Sequence, residues 1–359
     1  MKKFQSTSFL MTISIFLLAI LTGQGNAAWP EGPINVVIQW RAGAGTDIIT
    51  RAYAALMEKH IGVPINCTNR EGAVGALAMD AVYSKPPKGD WWLGASQYSK
   101  PLRVMGYSKL CGWKDWQYYK CADGLSSIAV KSDSPLKTFA DFLEAVRKNP
   151  GKSKVANAGM GSLSHEANEM LIREAKVNFA QIPYKGDAGG VLACLQGEVD
   201  AVQSTLTSQI ELIRAGKLRS LTLLKKEPLK LKEGEVLRPI TDFVPTMAKY
   251  LPFGTMYTLG LRRETPVDIL EKVKKAFLAA VNTPEFEDVL EKRYFIKSVA
   301  IGEEADRQAA ISECFTAWLA WDMKIEGVKV NPADLGLPRP ENFESWWPPK
   351  DYKPRLSSK

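Results

Sequence analysis

The sequence predicts an α/β protein of two domains, each a mostly parallel sheet flanked by helices. Three observations carry this. Ile34 to Trp40 is a β-rich apolar run that ends in Arg41-Ala42-Gly43-Ala44-Gly45-Thr46-Asp47, after which Ile48, Ile49, Ala52 and Leu56 recur at helical spacing. The same strand, glycine turn and helix return at Lys154 to His165, ahead of Ala167, Met170, Leu171 and Ala175 on one helix face. Finally, a chain of 359 residues that loses its leader keeps roughly 330, about twice an ordinary domain.

The leader is residues 1–27. Lys2 and Lys3 precede an apolar run from Phe9 to Leu21, and Gly25-Asn26-Ala27 supplies small residues for cleavage before Ala28. The run falls short of the roughly 20 residues a spanning helix needs, so export is expected rather than anchoring. The formal charge of +8 includes Lys2 and Lys3, and the remaining modest excess favours anionic ligands. No concentrated basic run is present, so no nucleic-acid partner is expected.

From the first helix onward, Gly62 and Pro64 mark its end and Val63 to Thr68 reads as a strand. Asn69-Arg70-Glu71-Gly72-Ala73-Val74-Gly75 is a further glycine turn, leading into a helix that stops before Pro86-Pro87, and Trp91 to Ser96 is the next strand. Residues 98–124 are aromatic and resist assignment. Ser126 to Val130 reads as a strand near the first crossing between domains. Thr138 with Asp141 forms a capping box for a helix that Asn149-Pro150-Gly151 ends. Phe179 to Gly186 is a strand and turn, a short helix through Val191 closes at Gly197, and Val199 to Gln203 is a strand. Ile210 to Ala215 is helical, Leu218 to Leu224 extended, and Lys225 to Lys232 a solvated loop. Thr255 to Leu261 returns the chain, Pro266 opens a helix at its first position, and a later helix carries Ile311, Cys314, Phe315, Trp318 and Leu319. The tail from Asn331 reads as an extended strap. The expected division is 28–129 with 255–359 as domain 1 and 130–254 as domain 2.

Five cysteines in an oxidising compartment cannot all pair. Cys111 and Cys121 are the one close pair, and a disulfide or two free thiols both fit. Cys67 in a strand and Cys314 on a helix stripe read as buried small hydrophobes.

Both glycine turns suit a carboxylate, because free N–H groups of a helix start face the turn and Thr46 or Asp47 is placed to cap the first helix. Gly43-Ala44-Gly45 is not a dinucleotide fingerprint: Ile48 stands at the third glycine position, and the second strand ends at Asn69 rather than an acid. No cofactor is expected. The two histidines, His60 and His165, have no metal spacing, and Ser162 and Ser164 sit on the turn of His165 itself.

At these residues the chain resembles the substrate-binding proteins of tripartite tricarboxylate transporters, the Bordetella uptake gene (Bug) receptors. The resemblance runs through Trp29-Pro30, Ala42 to Asp47 with Arg51, Asn69-Arg70, Gly72-Ala73 and Gly75, Gly159 to His165, Ile182 to Gly186, Gly197 to Asp200, Gly216 to Arg219, Val244 to Thr246 and Thr265-Pro266. It implies a type II, Venus flytrap, two-lobed periplasmic binding protein that crosses twice between lobes. By the resemblance, Ala42, Gly43, Gly45, Thr46, Asp47, Gly72, Ala73 and Gly75 contact the ligand from one lobe, and Gly161, Ser162 and His165 from the other. Gln39 and Trp40 depart from the family's apolar residue and proline, as do Ala44, Glu71 and Arg262 from its usual residues. Trp40 stands at the mouth of the first turn, where it either stacks on a ligand ring or packs into the core.

The resulting expectation is a monomeric exported receptor, not an enzyme, that captures a small organic carboxylate and delivers it to the membrane components of a tripartite tricarboxylate-type transporter. A sensory adaptor for a membrane kinase would bind alike, and an exported enzyme would turn the carboxylate over.

Overall fold

The computed structural model describes residues 29–96, 102–232, 234–251 and 253–357; the predicted leader lies outside them. In the first lobe β1 (Ile34–Ile38) leads into α1 (Gly45–Ile61), which ends at Gly62 in the left-handed conformation (φ 82°). Gly62 suits that cap because it carries no Cβ. β2 (Ile65–Asn69), α2 (Ala76–Tyr83) and β3 (Trp91–Ser96) follow, with β2 and β3 both parallel to β1.

The unassigned aromatic region, of which 98–101 lie outside the described residues, runs through turns and a helical turn over Gly112–Asp115 into the first half of a long strand, β4 (Trp116–Lys131). Trp116 and Tyr118 face one core and Tyr119 and Cys121 the other. Because both faces are buried, the run shows no polar alternation that would have marked it as a strand. The same pleat answers the disulfide question. Cys111 and Cys121 lie in separate cores, Cys111 Sγ against Glu313 Oε2 at 3.5 Å and Cys121 Sγ against the Tyr257 carbonyl at 3.5 Å, and all five thiols are free.

In the second lobe α3 (Phe139–Lys148) starts with the predicted capping box: the Thr138 hydroxyl accepts from Asp141 N, and Asp141 from Thr138 N. β5 (Lys154–Asn157), α4 (Leu163–Ala175), β6 (Ala180–Pro183), α5 (Asp187–Gln196), β7 (Ala201–Thr205), α6 (Leu206–Arg214) and β8 (Leu218–Leu223) then alternate. β5 pairs in parallel with β6 and β7, while β7 and β8 run antiparallel to the far half of β4. The lysine-rich loop holds a small ribbon pairing Leu229–Lys230 with Val236–Leu237.

β9 (Gly254–Arg262) returns antiparallel to both β3 and β4, so each sheet is mixed, with a parallel set joined to antiparallel returning strands. Residues 116–125 of β4 pair β9 and residues 126–131 pair β7 and β8, so one strand serves both lobes. Where β4 and β9 run side by side, a Cβ on Gly254 would stand 2.0 Å from the Gly124 carbonyl oxygen. The backbones therefore touch with no room for a side chain.

α7 (Val267–Val281) begins after Pro266, which sits at the N-cap rather than at the first helical position predicted for it. α8 (Pro284–Arg293) and β10 (Ile296–Ile301), which pairs β4, were not foreseen. α9 (Glu303–Asp322) buries Ala305, Ala309, Cys314 and Ala317 in the first lobe. The tail is a strap with short helical turns. Trp346 and Trp347 meet Trp113 edge-on at 5.7 and 5.6 Å, and Leu356 is buried beside α7 and α8.

Candidate functional site

The loop after β1 is held by two side chains that never reach its surface. Buried Gln39 accepts from Ser96 N (3.0 Å) and donates to the Gly75 carbonyl (3.5 Å), tying the ends of β1 and β3 to the turn at Gly72 to Gly75. Gly75 has φ +94°, and a Cβ there would lie 2.9 Å from the Gln39 side chain, so both conformation and space require glycine. Asp47 Oδ2 accepts from Gly43 N (2.9 Å), and its Oδ1 accepts from Arg51 (2.7 Å) and Asn69 (2.9 Å). The acid thus folds back to close its own turn. Neither Thr46 nor Asp47 caps α1, a correction to the sequence reading: the N-cap is Ala44 and makes no side-chain cap. The first amides of α1 are left for other acceptors.

In the second lobe Ser162 is the N-cap of α4, accepting from His165 N at 3.2 Å. Ser164 Oγ accepts from Ala158 N (2.8 Å) and lies 3.1 Å from Ser162 Oγ. His165 Nδ1 accepts from Gly161 N (3.3 Å), and burial lowers its pKa to about 4, so the imidazole is neutral at physiological pH. Two further helix starts complete the arrangement. Gly186 precedes α5 and Thr205 precedes α6, and Asp187 Oδ2 links them by accepting from Thr205 N (3.0 Å) and Thr205 Oγ1 (2.8 Å).

These four starts surround one cleft between the lobes, whose lining includes Gly45, Leu163, Asp187 and Thr205. Of the residues expected at the site, Trp40, Gly45, Thr46 and Ser162 line it. Gln39, Asp47, Gly75, Gly161 and His165 stand behind the lining as described, while Ala42 and Gly43 are exposed on the loop. Gly72 and Ala73 belong to the turn that Gln39 anchors, with Ala73 at φ 44°.

The sequence reading missed Arg41, Ser96, Ser126, Asp187, Thr205 and Tyr257 as lining residues. Gly186 and Thr205, each between a strand and a helix, carried the one available signal. Tyr257 lies against α1, since a Cβ on Gly45 would be 2.6 Å from its hydroxyl. Burial, with the charge of Asp187, raises the Tyr257 hydroxyl well above its ordinary pKa, so it is a donor here.

Trp40 and Arg41 reach across the mouth. Trp40 Nε1 donates to Ser96 Oγ (2.5 Å), and a Cβ on Gly186 would meet the Trp40 ring at 3.3 Å. Arg41 donates to the Lys185 carbonyl and pairs with Glu71 at 3.7 Å. Trp40 is therefore a partly exposed wall of the cleft, not a core residue. Among the described residues no cluster of three His, Cys, Asp or Glu side chains is placed to hold a metal, and no helix is long and apolar enough to cross a membrane.

Two α/β lobes that direct helix starts into a shared cleft define a solute-binding protein of the two-lobed type. The chain belongs to the tripartite tricarboxylate transporter receptor family, whose model matches residues 49–309. A UPF0065 protein of Cupriavidus necator, from the gbd 5' region, is 31% identical over 77% of this chain and 83% of its own. The periplasmic binding protein BugD superposes with a TM-score of 0.71 at 24% identity, covering 83% of this chain and 99% of its own. MatC from Rhodopseudomonas palustris, solved with bound malate, gives 0.67 at 21% identity over 84% of this chain and 100% of its own.

Proposed function

We propose that the chain is an exported, monomeric receptor that closes on a small organic carboxylate and presents it to the membrane components of a tripartite tricarboxylate-type transporter, without covalent chemistry. The leader, cleaved near Ala27, places it in the periplasm. The first crossing falls within β4 near residue 125, a few residues before the expected 129/130 boundary, and the return falls near 254. The observation that carries this reading is the meeting of four helix starts, at Gly45, Leu163, Asp187 and Leu206, on one cleft. MatC holding malate in the same fold supports a carboxylate as the ligand.

Each partly buried helix start contributes up to about 2 kcal/mol to an anion. Four together approach the roughly 8 kcal/mol of micromolar binding, before the costs of association. Hydroxyl donors must supply the surplus, and Thr46, Ser162 and Tyr257 are placed for it. The remaining expected residues act by holding the turns: Gln39, Asp47 and Gly75 in one lobe, Gly161 and His165 in the other. His165 does not line the cleft and its Nδ1 is taken up by Gly161 N, which fits a turn-holding role.

The test is calorimetric titration with mono-, di- and tricarboxylates, aliphatic and aromatic, read beside thermal unfolding. One acid should bind at micromolar or lower concentration and, at 100 times Kd, stabilise the fold by about 2.7 kcal/mol. Failure of every acid to bind, or turnover of the bound one, overturns the proposal.

A further inference from the structure

Among the described residues, none of 102–115 and none of 324–357 lines the cleft. Both segments nevertheless meet the second lobe outside it. Arg103 pairs with Glu313 of α9, and the Val104 carbonyl accepts from Lys329 N (2.7 Å) and Val330 N (3.1 Å), so the chain entering Met105 is pinned by α9 and by the tail. Tyr107 N donates to the Leu102 carbonyl (2.8 Å) and closes the turn on its other side. Met105 itself is fully buried in a first-lobe core. Its terminal methyl lies between two glycines: a Cβ on Gly327 of the tail would stand 3.2 Å from Met105 Cε, and one on Gly161 of the second lobe 3.4 Å from the same atom. Both glycines are left-handed, at φ 89° and 73°, so neither position favours a side chain, and the pliant thioether fills the space instead. Met160 packs against the same first-lobe core. Along the same seam Phe315 of α9 meets Tyr250 at 6.1 Å, and Leu319 is buried in the second-lobe core.

Gly161 directly precedes Ser162, which caps α4 and lines the cleft. From within the second lobe His165 Nδ1 holds the Gly161 amide, and from the first lobe Met105 closes on the same residue. Ser162 N also donates to the Gly159 carbonyl (3.0 Å), so a shift at Gly161 carries Ser162 with it. Groups that grip a ligand work only when the packing behind them fixes their place. We propose that Met105 is a positioning residue: from the opposite lobe and from outside the cleft, it seats the Gly159–Ser162 turn so that the Ser162 hydroxyl and the start of α4 face the cleft. The insertion and the tail, which line no part of the cleft, thereby set how well the second lobe grips what enters it. The effect on affinity rests on the receptor reading above, whereas the seating of the turn is measurable without it.

Amide hydrogen exchange at neutral pH on the wild type, Met105→Ala and Met105→Leu tests it. Met105→Ala opens a cavity against Gly161 and should speed exchange over residues 161–166 by at least about tenfold, while α3 of the same lobe exchanges as in the wild type. Met105→Leu, which keeps the volume, should restore the protection. If Met105→Ala does not fold, Met105→Val, which lacks the terminal methyl but keeps an apolar stem, carries the same expectation. Calorimetry with acetate, benzoate, malate, adipate and citrate then reads affinity. Any of these acids that binds the wild type should bind Met105→Ala about 2- to 30-fold more weakly and Met105→Leu as the wild type. Faster exchange confined to 102–115 and 324–330, or acceleration of α3 to the same degree, shows a core residue only and overturns the inference. Unchanged affinity of Met105→Ala for an acid that the wild type binds overturns it too. Binding of no acid by the wild type counts against the receptor reading, and the exchange result then decides the inference by itself.

Discussion

The turn at Arg41–Asp47 in the first lobe and the turn at Gly159–His165 in the second have one plan: a strand, glycines, and a helix start at the cleft. They spend their hydrogen bonds differently. In the first, the acid turns back onto Gly43, Arg51 and Asn69, and α1 starts without a side-chain cap. In the second, Ser162 caps α4 and Gly161 N is taken up by His165. In the first turn the amides at the start of α1 are thus left open, and in the second the hydroxyls of Ser162 and Ser164 close the turn. The same sequence signal marks two halves of one site that work through different groups.

The comparison breaks most severely at Gly45. A Cβ there already stands 2.6 Å from the Tyr257 hydroxyl, so Gly45→Val should fill the first half and lower carboxylate affinity by more than about 100-fold. Titration against wild type checks this, with circular dichroism showing that α1 persists.

His165 offers the next largest effect, on stability rather than affinity. Its folded pKa, about 4, lies below the ordinary value near 6.5, so the unfolded chain binds more protons between those values. Stability should therefore fall as pH drops from about 6.5 to about 4, by up to roughly 3 kcal/mol. Denaturant melts across this range should be flatter for His165→Gln; an equal slope would show that the imidazole is not the group responsible.

Asp47→Ala should cost about 2 kcal/mol in urea unfolding, since three donors lose their buried partner, and affinity should fall because the first turn loosens. Ser162→Ala is the mildest change, about 1 kcal/mol for a lost N-cap. Combined with Thr46→Ala it should weaken binding several-fold while the fold remains. Unchanged affinity in the double variant would show that these hydroxyls do not reach the ligand.

Local signals in the chain were legible where a single residue decides the geometry. Gly62 ends α1, Thr138 with Asp141 opens α3, and the apolar spacing around Cys314 marks α9. The first part of β4, Trp116 to Leu125, was not, because a strand buried on both faces carries no period of two, whereas Ser126 to Val130 of the same strand was read correctly. At the site, Trp40, Gly45, Thr46 and Ser162 were within reach of turn chemistry. Asp187, Thr205 and Tyr257 were not, since only the pairing of β4 with β7 and β9 brings their elements to the same opening. The glycine turns also led attention to Asp47, whose acid group is committed to its own loop.

The contact of Gly124 with Gly254 has a mechanical consequence. Two hydrogen-bonded strands in backbone contact twist and flex as a ribbon but do not slide, because sliding would break the ladder that joins them. The two lobes are thereby joined through a paired ribbon rather than through two separate loops. Any side chain added at position 254 would force the two backbones apart at the point where the lobes meet, one residue from the cleft wall at Thr255.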